Sequence, residues 1–184
     1  MLCGINAFGK SVPTMRFMGG REYDYLLKKL NVSTKKYSIS DEKIKENLIY
    51  PSYASGGPFL KSKQNLKNFK KLSASEKYSL ICIYIAFVIN FVLEKMVCKN
   101  DLIFDGPVTN NADIMELVAS LRKKQKTFKN NKEIGTGLGA SILFNIKKKN
   151  NISLTRINNR NKFDLNSIYK IWLKEIKKQK LLKT

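Results

Sequence analysis

The sequence predicts an α/β fold for this chain of 184 residues. Short apolar segments bounded by glycine or proline alternate with longer segments that have the periodicity of a helix. After residue 73 the order is a long helix, a short strand, a turn, a helix, a loop and a glycine-rich helix, which is typical of α/β proteins. Apolar residues make up 43% of the chain, enough to build the core of one domain.

The first seventy residues predict two short strands, a helix and a surface excursion. Residues 2–18 alternate apolar and small polar side chains around glycine and proline, which favours two strands joined by a turn. Arg21–Leu30 carries one apolar stripe and predicts a helix. Residues 31–72 are polar, lysine-rich and interrupted by proline and glycine, so we expect a surface excursion with a short helix near Asp41–Leu48.

A long apolar helix is expected to follow and to end near Val97. Ser73 and Glu76 have the spacing of a capping box, in which each side chain accepts a hydrogen bond from the other residue's amide. The segment Tyr78–Leu93 is apolar nearly all round, but it has 16 residues and contains Ser79 and Asn90. A bilayer span needs roughly 18 to 20 residues, so a buried core helix is the favoured interpretation. Partition into a membrane fraction would contradict it.

The segment from residue 101 to residue 121 predicts a strand, a turn and a helix. Asp101–Phe104 has the composition of a buried strand, Asp105–Pro107 turns the chain, and an amphipathic helix begins near Asn110. A glycine after a buried strand allows a ligand to approach the backbone, although such turns are more often only structural. Asn110 and Asn111 either cap the helix or offer an amide to a nucleotide.

The last sixty residues predict a polar loop through Thr127 and two further helices. The glycines of 133–140 have neither the G-x-x-x-x-G-K-[ST] spacing nor the G-x-G-x-x-G spacing of phosphate-binding loops. At the start of a helix they favour close packing against a neighbouring sheet. Leu138 to Ile146 then fits one helical face. A final amphipathic helix is expected to begin at an Asp164 cap.

The formal charge of +21 is at first sight evidence for a nucleic-acid partner. The basic residues, however, are 30 lysines and only 5 arginines, and asparagine and isoleucine are also abundant at 18 each. AT-rich codons raise lysine, asparagine and isoleucine together, and the last two give no phosphate affinity. We therefore interpret most of the charge as compositional, and a lysine-rich nucleic-acid-binding module remains the alternative function.

Several chemistries are excluded by composition. The chain has no histidine, so Ser-His-Asp and Cys-His triads and histidine-containing zinc sites are absent. Cys3, Cys82 and Cys98 are odd in number and lack C-x-x-C spacing, which favours reduced thiols in a cytoplasmic protein. No signal peptide is apparent, and the scattered carboxylates identify neither a catalytic base nor a metal site.

Several segments, taken in order, resemble the C-terminal domain of the FGGY family of carbohydrate kinases. The matching pieces are Val12–Glu22 (VPTMRFMGGRE), Pro51–Phe59, the apolar helix, Asp105–Asn111 (DGPVTNN) and Glu133–Ala140. The fourth resembles the family's adenosine motif, usually Gly-Gly-Ala followed three residues later by Asn. Asp105 stands in the place of the first glycine, and Pro107 in the place of the alanine.

The resemblance implies the second lobe of an actin-like ATPase (ribonuclease H-like) fold, a mixed sheet with flanking helices. It implies ATP and Mg²⁺ as cofactors of the parent kinase, with nucleotide contacts from Gly106, Pro107 and Asn110. It further implies that the catalytic aspartate, the sugar pocket and the first phosphate loop belong to a separate N-terminal lobe. We expect residues 1–146 to form a partial kinase domain and 147–184 a basic loop with a C-terminal helix. Phosphoryl transfer depends on positioning between lobes, so this chain alone is expected to be inactive.

Overall fold

The computed structural model describes residues 2–131, 153–159 and 164–183. The predicted glycine-rich segment 133–140 and the helix through Ile146 lie outside these ranges. The described elements, in chain order, are β1 Leu2–Ile5, β2 Ser11–Thr14, α1 Gly19–Lys29, α2 Asp41–Glu46, a 3₁₀ helix Leu66–Lys71, α3 Ala74–Lys95, β3 Leu102–Phe104, a 3₁₀ helix Gly106–Asn110, α4 Ala112–Leu121, β4 Thr127–Asn130, β5 Leu154–Ile157 and α5 Leu165–Lys178.

A three-stranded mixed sheet in the order β3-β4-β5 carries the segment that holds the predicted site. β3 and β4 are parallel, with Leu102 opposite Thr127, and β5 runs antiparallel to β4. The connection through α4 makes β3-α4-β4 a βαβ unit. The expectation of a polar loop through Thr127 was therefore wrong, and β5 was also missed. Thr127 and Asn130, at the two ends of β4, are buried polar residues, so an apolar pattern did not reveal the strand.

Helix α3 is the centre of the core, as its composition predicted. Ser73 Oγ accepts from the Glu76 amide and Glu76 Oε2 accepts from the Ser73 amide, so the capping box is confirmed. The helix packs against α1 and α4. Its length and hydropathy would suffice for a membrane span, but 78% of its most apolar stretch is buried inside the protein. Burial on all sides is what a helix without a polar face requires in a core.

The segment 31–72 is more than the surface excursion that we expected. It contains the short helix α2, as predicted, but it also sends Ile44, Leu48, Phe59 and Phe69 into the core. Ile44 and Leu48 are four residues apart, but Phe59 and Phe69 follow neither a helical nor a strand spacing, so the burial of these two rings was not evident from periodicity.

Helix α5 begins at the predicted cap and packs into the same core. Asp164 Oδ1 accepts from the Ser167 amide. Trp172 is completely buried, its indole Nε1 donates to the Ile49 carbonyl at 2.8 Å, and its ring lies 5.6 Å from that of Phe87. Helix α5 is thus an integral part of the hydrophobic core.

The first two strands form the predicted hairpin. β1 and β2 are antiparallel and pair only with each other within the described residues. Three large apolar side chains on this hairpin are exposed, Leu2 at 68%, Ile5 at 77% and Phe8 at 69%. An isolated two-stranded hairpin has little stability of its own, and these side chains leave an apolar surface open to solvent.

Candidate nucleotide site

A cavity of about 590 Å³ lies beside the carboxyl end of β3, between the first turns of α1 and α4 and the part of α3 from Tyr78 to Ile89. We call it the Pro107 cavity. Its walls are mainly apolar and aromatic, and a few polar groups lie at its edge. The lining residues are Phe17, Gly19, Gly20, Tyr23, Asp24, Lys35, Tyr78, Ile85, Ile89, Phe104, Asp105, Pro107, Val108, Asn110, Asn111 and Ile114. Mostly apolar clefts of this size with few polar groups are typical of small-molecule sites.

The turn after β3 brings two of the three predicted contacts to the cavity. Pro107 and Asn110 line it, while Gly106 lies between two lining residues and does not itself face the cavity. Gly106 has a φ of +75°, a conformation that side chains rarely adopt, and a Cβ there would meet no atom within 4 Å. Glycine is therefore required at this position by the backbone turn and not by crowding within the protein.

Asn110 and Asn111 have different positions in the structure. The Asn111 Oδ1 accepts from the Ile114 amide and caps α4, while its Nδ2 lies 3.2 Å from the Tyr23 hydroxyl and 3.3 Å from that of Tyr78. Asn110 is exposed, and no hydrogen bond joins its side chain to another residue in the described ranges. The capping interpretation thus holds for Asn111, and the Asn110 amide is available to a ligand.

The two tyrosines of the cavity are neutral hydroxyl groups at physiological pH. Burial raises the pKa of Tyr23, and burial together with the nearby Cys82 raises that of Tyr78. Tyr78 donates to Asp113 Oδ2 at 3.0 Å, and both tyrosine oxygens accept from Asn111. This network fixes the α1, α3 and α4 walls relative to one another.

Close packing at the start of α1 shapes another wall. A Cβ at Gly19 would lie 3.0 Å from Cε1 of the Phe17 ring, so glycine allows that ring to pack against the first turn of the helix. The sequence pattern Val12–Glu22 contains both residues, but nothing in its spacing indicated that it would face the turn after β3. Phe17, Tyr23 and Lys35 were therefore missed as candidate site residues.

The cavity fits a flat, largely apolar ring with a polar edge. Phe104, Val108 and Ile85 supply apolar surface, and Asn110 supplies a donor and an acceptor at the rim. Three charged residues, Asp24, Lys35 and Asp105, also line the cavity. Within the described ranges there is no group of three cysteine or carboxylate side chains positioned to hold a metal ion, and a nucleotide brings its own phosphate oxygens as Mg²⁺ ligands.

Comparisons with known proteins agree with this fold. A family model described as the carbohydrate kinase FGGY C-terminal domain matches residues 1–152. A carbohydrate kinase from Novosphingobium aromaticivorans superposes with a TM-score of 0.73 at 22% identity, over 98% of this chain and 40% of that chain. This chain therefore spans less than half of that kinase. No curated protein matches it. The predicted α/β fold and the resemblance to an actin-like ATPase lobe are confirmed, and the chain belongs to the FGGY carbohydrate kinase family as a C-terminal domain.

Proposed function

We propose that this chain is the nucleotide-side lobe of a cytoplasmic, ATP-dependent carbohydrate kinase, and that the adenosine of ATP binds in the Pro107 cavity. The observation that carries the proposal is the meeting of Pro107 and Asn110, from the motif-like turn, with the aromatic wall of α1 and α3 in one cavity. A planar base would lie against the apolar wall, and the Asn110 amide would pair with its polar edge.

The complete reaction would transfer a phosphoryl group from ATP, with Mg²⁺, to a sugar hydroxyl supplied by another lobe. The support for a second lobe is the coverage of only 40% of the related kinase and the exposed apolar hairpin β1-β2. In-line transfer requires the nucleotide, metal and acceptor to be held together. The isolated chain should therefore bind nucleotide and release no ADP in response to sugars.

The test is calorimetric titration of the chain with ADP, beside the Asn110→Ala variant. Loss of one hydrogen bond to the base costs about 1 kcal/mol, which is roughly a fivefold weaker affinity. Asn166→Ala is the matched control, because Asn166 is an exposed asparagine on α5, outside the Pro107 cavity. Equal affinity of the wild type and both variants would refute the assignment of Asn110. Absence of saturable ADP binding would refute the assignment of the cavity.

A coupled assay of ADP release tests whether phosphoryl transfer requires a second lobe. We expect the isolated chain to show no sugar-dependent turnover over a panel of aldoses, ketoses and polyols. Sugar-dependent turnover that co-purifies with the chain through a final size-exclusion step would show that a complete site exists here, and the single-lobe proposal would then be wrong.

A further inference from the structure

A second cavity of about 710 Å³ lies at the other end of α1, and we call it the lysine cleft. Five lysines line it: Lys29, Lys61, Lys67, Lys70 and Lys77. No aspartate or glutamate is among the described residues that form its walls. The other lining residues are Tyr25, Leu30, Asn31, Tyr53, Ser62, Gln64, Asn65, Leu66 and Phe69.

The lysines reach the cleft from separate parts of the chain. Lys29 ends α1, Lys61 lies in the connection before the first 3₁₀ helix, and Lys77 lies in the first turn of α3. No ion pair involves any of the five in the part of the chain that the structure describes. Glu76, the residue beside Lys77, is paired with Lys43 and faces a different depression. Several positive charges that line one concave surface raise the local electrostatic potential and attract anions.

One wall of the cleft is held rigidly by a buried carboxylate. Glu22 is 1% exposed, and its oxygens accept from the backbone amide of Tyr53 at 2.8 and 3.0 Å. The Tyr53 hydroxyl donates to Gln64 Oε1 at 3.0 Å, and its ring stacks on that of Tyr25 with centroids 5.6 Å apart. The cleft therefore has one fixed aromatic wall, and a wall that is already ordered lowers the ordering cost of binding.

We infer that the lysine cleft binds a compact anion that carries several phosphoryl groups. Lysine ammonium groups bind phosphate as point charges and need no bidentate geometry. The cleft has the volume of a small-molecule site, and five lysines line it. A single-stranded nucleic acid would instead favour an extended basic groove with bases stacked along it.

This site is separate from the Pro107 cavity. The residues of α1 that face that cavity are Gly19, Gly20, Tyr23 and Asp24, whereas Tyr25, Lys29 and Leu30 face the lysine cleft. Helix α1 thus lies between them, so occupation of the cleft does not depend on the nucleotide assignment. Saturating adenosine, which carries no phosphoryl group, fills the proposed adenosine site during the titration without competing for the cleft.

The experiment is calorimetric titration of the full chain with inositol hexakisphosphate, with and without adenosine. The cleft variant is Lys29→Gln with Lys67→Gln, and the matched control is Lys170→Gln with Lys174→Gln, two exposed lysines of α5. Both variants lose the same charge. We expect one equivalent of probe to bind, about tenfold more weakly in the cleft variant because two cation contacts are lost, and within twofold of the wild type in the control.

Three results would overturn the inference. Absence of saturable binding would refute the site, and equal weakening in the two double variants would show attraction by net charge alone. If a ten-nucleotide oligothymidylate bound more tightly than inositol hexakisphosphate, and bound more weakly to the cleft variant, the cleft would be assigned to nucleic acid. ADP binding at the Pro107 cavity is measured separately, with the Asn110→Ala variant. Failure of the inositol hexakisphosphate titration therefore leaves the proposed nucleotide function intact, and failure of the ADP titration leaves this inference intact.

Discussion

Substitution of Glu22 by glutamine should be among the most destabilising changes that preserve the size of a side chain. The carboxylate is buried and accepts from the Ser52 hydroxyl, from the amides of Tyr53 and Ala54, and from the Tyr84 hydroxyl at 2.8 Å. In this way it joins α1 to α3 and to the loop after residue 50. Burial raises the pKa of Tyr84 well above its ordinary value, so this hydroxyl remains a donor at neutral pH.

The expected cost follows from the number and type of these bonds. Glutamine replaces one acceptor oxygen by an NH₂ donor and removes the negative charge, so at least one of the four donor groups is left facing another donor. A hydrogen bond to a charged group contributes about 1.5 to 3 kcal/mol. Loss of the charge from the remaining bonds adds to this, and we expect about 3 kcal/mol less stability for Glu22→Gln.

Urea unfolding followed by circular dichroism measures this difference. Glu46→Gln is the matched control, since Glu46 is exposed at the end of α2, and it should change stability by less than about 0.5 kcal/mol. Tyr84→Phe removes one donor and should cost about 1.5 kcal/mol. Its effect should shrink in the Glu22→Gln background, because the two groups interact directly. A loss below about 1 kcal/mol in Glu22→Gln would refute the carboxylate's role as the junction of α1, α3 and the loop.

Further outcomes are expected for Trp172, Ser73 and Cys82. Trp172→Ala should cost about 4 kcal/mol in the same unfolding assay, as for other buried aromatic residues, and a change below about 1 kcal/mol would contradict the packing of α5 into the core. Ser73→Ala should cost about 1 kcal/mol through loss of the α3 cap, whereas Ser33→Ala, at an exposed position outside the helices, is the comparison. Burial raises the pKa of Cys82 to about 12 from 9.0, so iodoacetamide at neutral pH should alkylate the exposed Cys3 and spare Cys82 until the protein unfolds. Because the folded pKa is the higher one, this thiol's contribution to stability is complete below pH 9 and is lost as the pH rises towards 12; a Cys82→Ala variant should lack that loss.

The helices and their caps could be predicted because their signals are local. Ser73, Asn111 and Asp164 each cap a helix through an amide three residues later, and such a contact depends on only one turn of sequence. Strands β4 and β5 were missed because their stability comes from pairing across more than twenty residues, and a short strand with buried polar ends has no apolar pattern. The pairing register of β4 and β5 is set by tertiary contacts.

The candidate site was predicted only where it coincides with a contiguous motif. Pro107 and Asn110 come from the turn after β3, which the resemblance singled out. Phe17 and Lys35 reach the same cavity from segments that lie at least 70 residues earlier in the chain. The lysine cleft was missed for the same reason, since its five lysines are spread from residue 29 to residue 77 and each is unremarkable alone.

The net charge of +21 has little part in the folding of this lobe. Apart from Glu22, the buried polar positions hold only uncharged side chains within the described ranges, and the two ion pairs found there lie on partly or fully exposed side chains. A charge excess that leaves the core unaltered is what a compositional bias towards lysine would produce, because only exposed positions accept lysine at little cost. Such a bias places lysines over the whole surface without regard to the positions of carboxylates. The lysine cleft is a concave part of that surface, where five lysines lie without an acidic lining residue. The comparison of the two lysine double variants therefore decides between a bound anion and the general attraction of a cationic surface.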